Sequence, residues 1–130
     1  MEKNKKSKRI LLVEDDLVSQ FYLKTLLSEN GFDVQAVSNG KDALSSFSKE
    51  KFDIIILDIQ IPIINGIEVT KKIKEKENSK KKKTPIIALT AYSYEEDKKL
   101  FIETGMDFCI TKPIDEKLLL ETIFKLTKNG

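Results

Sequence analysis

The chain has 130 residues, of which 40% are hydrophobic and 34% charged, with a formal net charge of +2; one domain spanning residues 1–130 around one core is expected. No apolar run approaches the ~18 residues of a membrane span, and no apolar region follows the basic N-terminus, so neither a membrane anchor nor a secretion signal is expected and a cytoplasmic location is. Histidine is absent and Cys109 is the single cysteine, which excludes imidazole bases, histidine metal ligands and an intrachain disulfide.

After residues 1–7, expected to be a basic, disordered tail, the first apolar run is RILLV (9–13). A helix is predicted over Leu17 to Ser28, with Leu23, Leu26 and Leu27 turned inward and Asn30-Gly31 as its stop. DVQAV (33–37) is the second strand, and Asn39 to Phe47 the second helix, carrying Ala43, Leu44 and Phe47. DIIIL (53–57) is the third strand, running straight into Asp58. A charged helix with Ile73 inside follows over Ile67 to Glu77, and Asn65-Gly66 before it reads as a turn. PIIAL (85–89) and FCI (108–110) are the last strands. Helices are predicted over Tyr94 to Thr104, ending at Gly105, and over Asp115 to Thr127, with Leu119, Ile123 and Leu126 on one stripe and Leu120 and Phe124 beside it.

Short Ile/Val/Leu runs alternating with helices imply βαβ units and a parallel sheet covered on both faces. For five strands the leading order is 2-1-3-4-5, a flavodoxin-like (βα)5 fold. Strands 1 and 3 are then neighbours, and ligands bind beyond their carboxyl ends.

Charge is unevenly spread. Residues 1–10 carry five Lys/Arg against one Glu, and residues 71–83 carry eight Lys against two Glu. The rest of the chain is therefore acidic. Neither basic segment interleaves aromatics with its lysines, so a frayed terminus and a solvated loop are the preferred reading over nucleic-acid contact.

The predicted topology gathers polar groups on one sheet edge. Strand 1 ends in Glu14-Asp15-Asp16, strand 3 in Asp58 and strand 4 in Thr90, and strand 5 is followed by Lys112-Pro113. Singly, each has an ordinary explanation: Asp16 caps the next helix, Thr90 ends a strand, Lys112 is a surface lysine. Together they suit a phosphoryl group. Crowded carboxylates without His or Cys favour a hard cation, Mg²⁺ with Mn²⁺ as the alternative, while an ammonium and a hydroxyl meet the phosphoryl oxygens.

The motifs ILLVEDD (10–16), LDIQIPIING (57–66), ALTA (88–91) and GMDFCITKPI (105–114), in this order and spacing, resemble the receiver domain of two-component response regulators, over roughly residues 8–128. The strand order above is that family's own, so it is not independent of the resemblance. The resemblance implies Asp58 as the phosphoacceptor for a histidine kinase or histidine phosphotransfer protein. It implies Mg²⁺ held by Glu14, Asp15, Asp58 and the main-chain carbonyl of Gln60, with Glu14 acting mainly through water. Thr90 would contact the phosphoryl group and shift with it, Lys112 would pair with it, and Lys112-Pro113 would be a cis peptide. Intrinsic self-phosphorylation and self-dephosphorylation are implied too, with Gln60 and Tyr92 flanking the path of attacking water.

In the family, an aromatic on strand 5 swings inward and remodels the helix 4–strand 5–helix 5 face used for output or dimerisation. Cys109 occupies that position here, and Phe108 points to the other face, so a smaller rearrangement is expected. Cys109 itself reads as a small buried apolar residue rather than a redox sensor. Two other readings stay open: a small Mg²⁺-dependent phosphotransferase or phosphatase with an Asp nucleophile, and a non-phosphorylated interaction module. No nucleic-acid contact and no DNA-binding output segment are expected. The GMD and TKPI wording and lysine-rich segment 74–84 lean toward a hybrid sensor kinase.

Overall fold

The computed structural model describes residues 7–61, 65–80, 82–91 and 95–128. The predicted residues 1–6 of the basic tail, residues 62–64 of the turn after Asp58, and Tyr92 lie outside these. Five strands alternate with five helices: β1 (Arg9–Val13), α1 (Leu17–Glu29), β2 (Asp33–Val37), α2 (Gly40–Lys49), β3 (Ile54–Asp58), α3 (Gly66–Lys76), β4 (Ile86–Thr90), α4 (Glu95–Thr104), β5 (Phe108–Thr111) and α5 (Glu116–Thr127). Every pairing is parallel and the order is β2-β1-β3-β4-β5, as the alternation predicts.

The sheet separates two apolar layers. On one face Leu11, Ile55, Leu57 and Ile86 pack with Ala43 of α2, Val69 and Ile73 of α3 and Phe101 of α4. On the other, Ile10, Ile54, Ile56 and Leu89 meet Leu23 and Leu27 of α1 and Leu119 and Ile123 of α5. A strand covered on both faces has no polar side, which is why β3 reads as an unbroken apolar run. Its four apolar side chains, Ile54 to Leu57, are each 0% exposed and contribute roughly 1.5–3 kcal/mol apiece.

The local chemistry sets the element ends. β4 starts at Ile86, because Pro85 has no N–H to give the ladder; its carbonyl still accepts from Ile55 N at 2.9 Å. Asp53 stays outside β3 with its carboxylate on the Arg9 amide at 2.8 Å. Asp16, Asn39, Asn65 and Asp115 are N-caps, each accepting from the backbone N–H three residues on. Gly31 (φ +92°) and Gly105 (φ +123°) end α1 and α4 in the left-handed region.

Two sequence expectations change. Asn65-Gly66 is a helix start rather than a free-standing turn, and Asn-x-x-Glu (Asn65 to Glu68) is its signature. The basic segment 71–83 is not one solvated loop either. Residues 71–76 lie on α3. The Lys83 ammonium donates to the carbonyls of Glu77, Asn78 and Lys80 at 2.5, 3.2 and 2.6 Å, where it offsets the negative end of the helix dipole. Among the described residues, no helix is long and apolar enough to cross a membrane.

Candidate functional site

β1 and β3 are adjacent, with Val13 opposite Leu57, so the residues that follow them share one rim at the point where the strand order reverses. Glu14, Asp15 and Asp58 each place a carboxylate oxygen there, all within 4.8 Å of one another. Glu14 is 1% and Asp58 4% exposed, while Asp15 is open to solvent.

β5 delivers the countercharge. Lys112 N donates to Thr90 O at 2.8 Å, carrying the β4–β5 ladder one residue beyond β5. The Lys112 ammonium then lies 2.9 Å from Asp58 Oδ2 and 3.6 Å from Glu14 Oε1. Burial alone would lower the lysine's pKa, but the hydrogen bond and charge of Asp58, with the charge of Glu14, outweigh it and raise it. Among the described residues it is the only cation within ion-pair distance of Glu14 and Asp58, and Asp15 has none, so one ammonium faces three carboxylates and two negative charges stay unmatched.

Both Asp58 oxygens are held. Lys112 holds Oδ2, and Oδ1 accepts the Gln60 main-chain N–H at 2.9 Å. Glu14 differs: Oε2 accepts from Asp16 N at 3.1 Å, but Oε1 is buried and makes no hydrogen bond among the described residues. Burial pushes the Glu14 carboxyl above its ordinary range; the Asp16 N–H opposes this and the negative charge of Asp58 adds to it. An oxygen-only donor set, two unmatched charges and an orphaned carboxylate oxygen fit a hard divalent cation.

The other predicted residues fall around this cluster. Thr90 ends β4, fully buried, next to Leu89, which pairs with Asp58 across the sheet. Lys112-Pro113 is cis. Asp16 turns away to cap α1, accepting Ser19 N at 3.0 Å, and that side-chain hydrogen bond holds its carboxyl below the usual range. Cys109 is apart from the carboxylates: it is half-buried against the layer that contains Phe101 and Met106. Burial raises its thiol pKa, only partly opposed by Lys98. Phe108 is 37% exposed.

Sequence reasoning missed Gly66 as a site residue. A Cβ built there would lie 2.8 Å from Ile59 Cα and 3.0 Å from the Asp58 carbonyl oxygen, so only glycine lets α3 start against the Asp58 turn. Beside the rim, the first turns of α1 expose Leu17, Val18 and Phe21 at 69, 78 and 74%, an apolar patch at the mouth of the site.

Comparison with known proteins gives a consistent family. A family model described as "Response regulator receiver domain" matches residues 10–124. A hybrid signal transduction histidine kinase of Dictyostelium discoideum is 42% identical over 120 residues, covering 88% of this chain. The chain spans only 7% of that kinase's length. Among solved structures, the receiver domain of a Pseudomonas aeruginosa sensor histidine kinase, with magnesium coordinated in its active site cleft, superposes with a TM-score of 0.84 at 30% identity, covering 94% of this chain and 98% of that one. The receiver domain of a Saccharomyces cerevisiae response regulator, crystallised with its histidine phosphotransfer protein, gives 0.86 at 27% identity, covering 95% and 90%.

Proposed function

Because this chain belongs to the response regulator receiver domain family of two-component signalling, we propose that it is a phosphoacceptor switch and that Asp58 is the residue phosphorylated. The observation that carries this is the state of the Asp58 carboxylate. It is almost fully buried at a strand end, held through both oxygens, and within 4.8 Å of two further carboxylates.

A carboxylate is itself the nucleophile, so no general base is needed. One carboxylate oxygen attacks the phosphorus of a phosphohistidine. The O–P bond forms as the N–P bond breaks, and the electron pair returns to the donor imidazole. Lys112, 2.9 Å from Oδ2, would follow the charge onto a phosphoryl oxygen, and the Thr90 hydroxyl would donate to another. Glu14, Asp15, Asp58 and the Gln60 carbonyl would hold Mg²⁺, with Mn²⁺ as a substitute; when bound it supplies neutralisation of the phosphoryl charge. The magnesium in the cleft of the Pseudomonas relative supports this assignment.

The donor is a histidine kinase or, as in the complex of the yeast relative, a histidine phosphotransfer protein, and the expected location is the cytoplasm. Leu17, Val18 and Phe21 of α1 offer it an apolar landing beside Asp58. The face of α4, β5 and α5, with Leu100, Ile102, Phe108 and Leu118 between 37 and 49% exposed, is assigned to output.

The test is intact mass after incubation with acetyl phosphate and Mg²⁺. One acid-stable, base-labile phosphoryl group is expected on the wild type and none on Asp58→Asn. Turnover of external phosphoesters would support a phosphatase instead, and no reaction an interaction module.

A further inference from the structure

One polar side chain beside the rim is used by neither the carboxylate cluster nor the core. Gln20 lies in the first turns of α1, where side chains lean back toward the helix N-terminus. Its amide nitrogen donates to the carbonyl of Glu14 at 2.9 Å, the carbonyl of Val37 at 3.2 Å and the Ser38 hydroxyl at 3.2 Å. Two of these partners are carbonyls, which only accept, so the nitrogen must face them.

The contacts fall where the sheet stops restraining the chain. The β1–β2 and β1–β3 ladders end at Val13, opposite Val37 and Leu57. Beyond them one more bond, Glu14 N to Val37 O at 3.0 Å, holds the strand. The next residues are three successive acids, Glu14, Asp15 and Asp16, which repel one another and tend to spread. The Gln20 amide spans the ends of β1 and β2 and fixes the backbone from which Glu14 and Asp15 project.

We propose that Gln20 is a positioning residue: its amide clips the acidic β1–α1 turn to the end of β2, preorganising Glu14 and Asp15 for a divalent cation. This deepens the metal reading of the same site and rests on it. A group that orients metal ligands without touching the metal typically changes affinity by roughly tenfold or more. The clip acts through its hydrogen-bond donors rather than its volume. Gln20→Met fills similar space without donors, whereas Gln20→Arg keeps donors that reach carbonyl oxygens.

The experiment titrates each chain with Mg²⁺ alone, following the amide shifts of residues 14–16 and 58–60, with amide hydrogen exchange measured on the metal-free proteins. Gln20→Met should bind Mg²⁺ about tenfold more weakly and lose exchange protection at residues 14–16, while its unfolding midpoint stays close to wild type. Gln20→Arg should return to within about threefold of wild type. Wild-type affinity in Gln20→Met, or failure of Gln20→Arg to restore it, overturns the assignment and leaves the metal reading intact. A wild-type chain that ignores Mg²⁺ overturns both.

Discussion

At Glu14 the requirements of folding and of the site oppose each other. Its carboxylate is 1% exposed and one oxygen has no hydrogen bond among the described residues, and burial raises its pKa above the ordinary carboxylate range. The folded chain therefore holds this proton more tightly than the unfolded chain. Its contribution to stability is present in full below the unfolded value and is lost as pH rises through the folded one. Glu14→Gln removes the charge and keeps the shape. With cations chelated, we expect it to raise stability at pH 7.5 by on the order of 1 kcal/mol and to flatten the pH slope above 4.5, as read from urea midpoints across pH 5–8; a less stable variant at pH 7.5 would contradict this. Glu14, Asp58 and Lys112 were legible as a set because strand ends expose their chemistry in the sequence. Gly66 was not, since its constraint is the Ile59 backbone 2.8 Å from a would-be Cβ, a contact that exists only once α3 docks. Gln20 was hidden for the same reason, its partners Val37 and Ser38 lying 17 and 18 residues away. Gly66→Ala must push the Asp58–Gln60 turn aside, and should lose about 1–3 kcal/mol in denaturant unfolding and slow uptake from acetyl phosphate; unchanged values in both would refute the close-approach argument.

Among the elements, the five strands stand within one residue of their apolar runs; β3 and β4, covered on both faces, are buried throughout, whereas the edge strands β2 and β5 keep exposed and half-buried residues. The helix starts are less legible: Asn39 and Asp115 are caps, although periodicity alone counts them as helix. β5 is where element and function separate. Cys109 pairs with Ala88 across the sheet and packs, half-buried, in the layer of Phe101 and Met106. A thiol has no ring to swing between an outward and an inward position. We therefore expect phosphorylation, or a beryllofluoride mimic, to move the amide shifts of residues around Thr90 more than those of α4 and β5. Cys109→Tyr should enlarge the response on α4 and β5. A full rearrangement of that face in the wild type, or no change in the variant, would sink the expectation. The raised thiol pKa adds that Cys109 should alkylate more slowly than a free cysteine at neutral pH.

Over the whole molecule, the two ends of the sheet are finished differently. At the amino ends of the strands, Arg9 binds Asp33 and Glu50 at 3.1 and 2.6 Å and lies over Phe52. Asp107 accepts the Ile86 amide at 2.8 Å, and the buried Glu77 takes the Thr84 amide and hydroxyl at 3.0 and 2.6 Å. At the carboxyl ends, three carboxylates face one ammonium. The charged groups at the amino ends are thus paired, whereas the site keeps a charge imbalance that a ligand can relieve. Binding only to the folded state stabilises it by RT ln(1 + [L]/Kd), about 2.7 kcal/mol at a hundredfold excess over Kd. For a domain of this size that corresponds to roughly 10 °C in Tm. Mg²⁺ at saturation should therefore raise Tm by about that much at pH 7.5, well beyond NaCl of matched ionic strength. The rise should shrink as pH falls and Glu14, whose carboxyl burial pushes above its ordinary range, takes up its proton, and in Asp58→Asn, which removes one of the three carboxylates. If Mg²⁺ does no more than matched NaCl, the carboxylates are not gathered for a cation, and their closeness must be maintained entirely by the packing of β1 against β3.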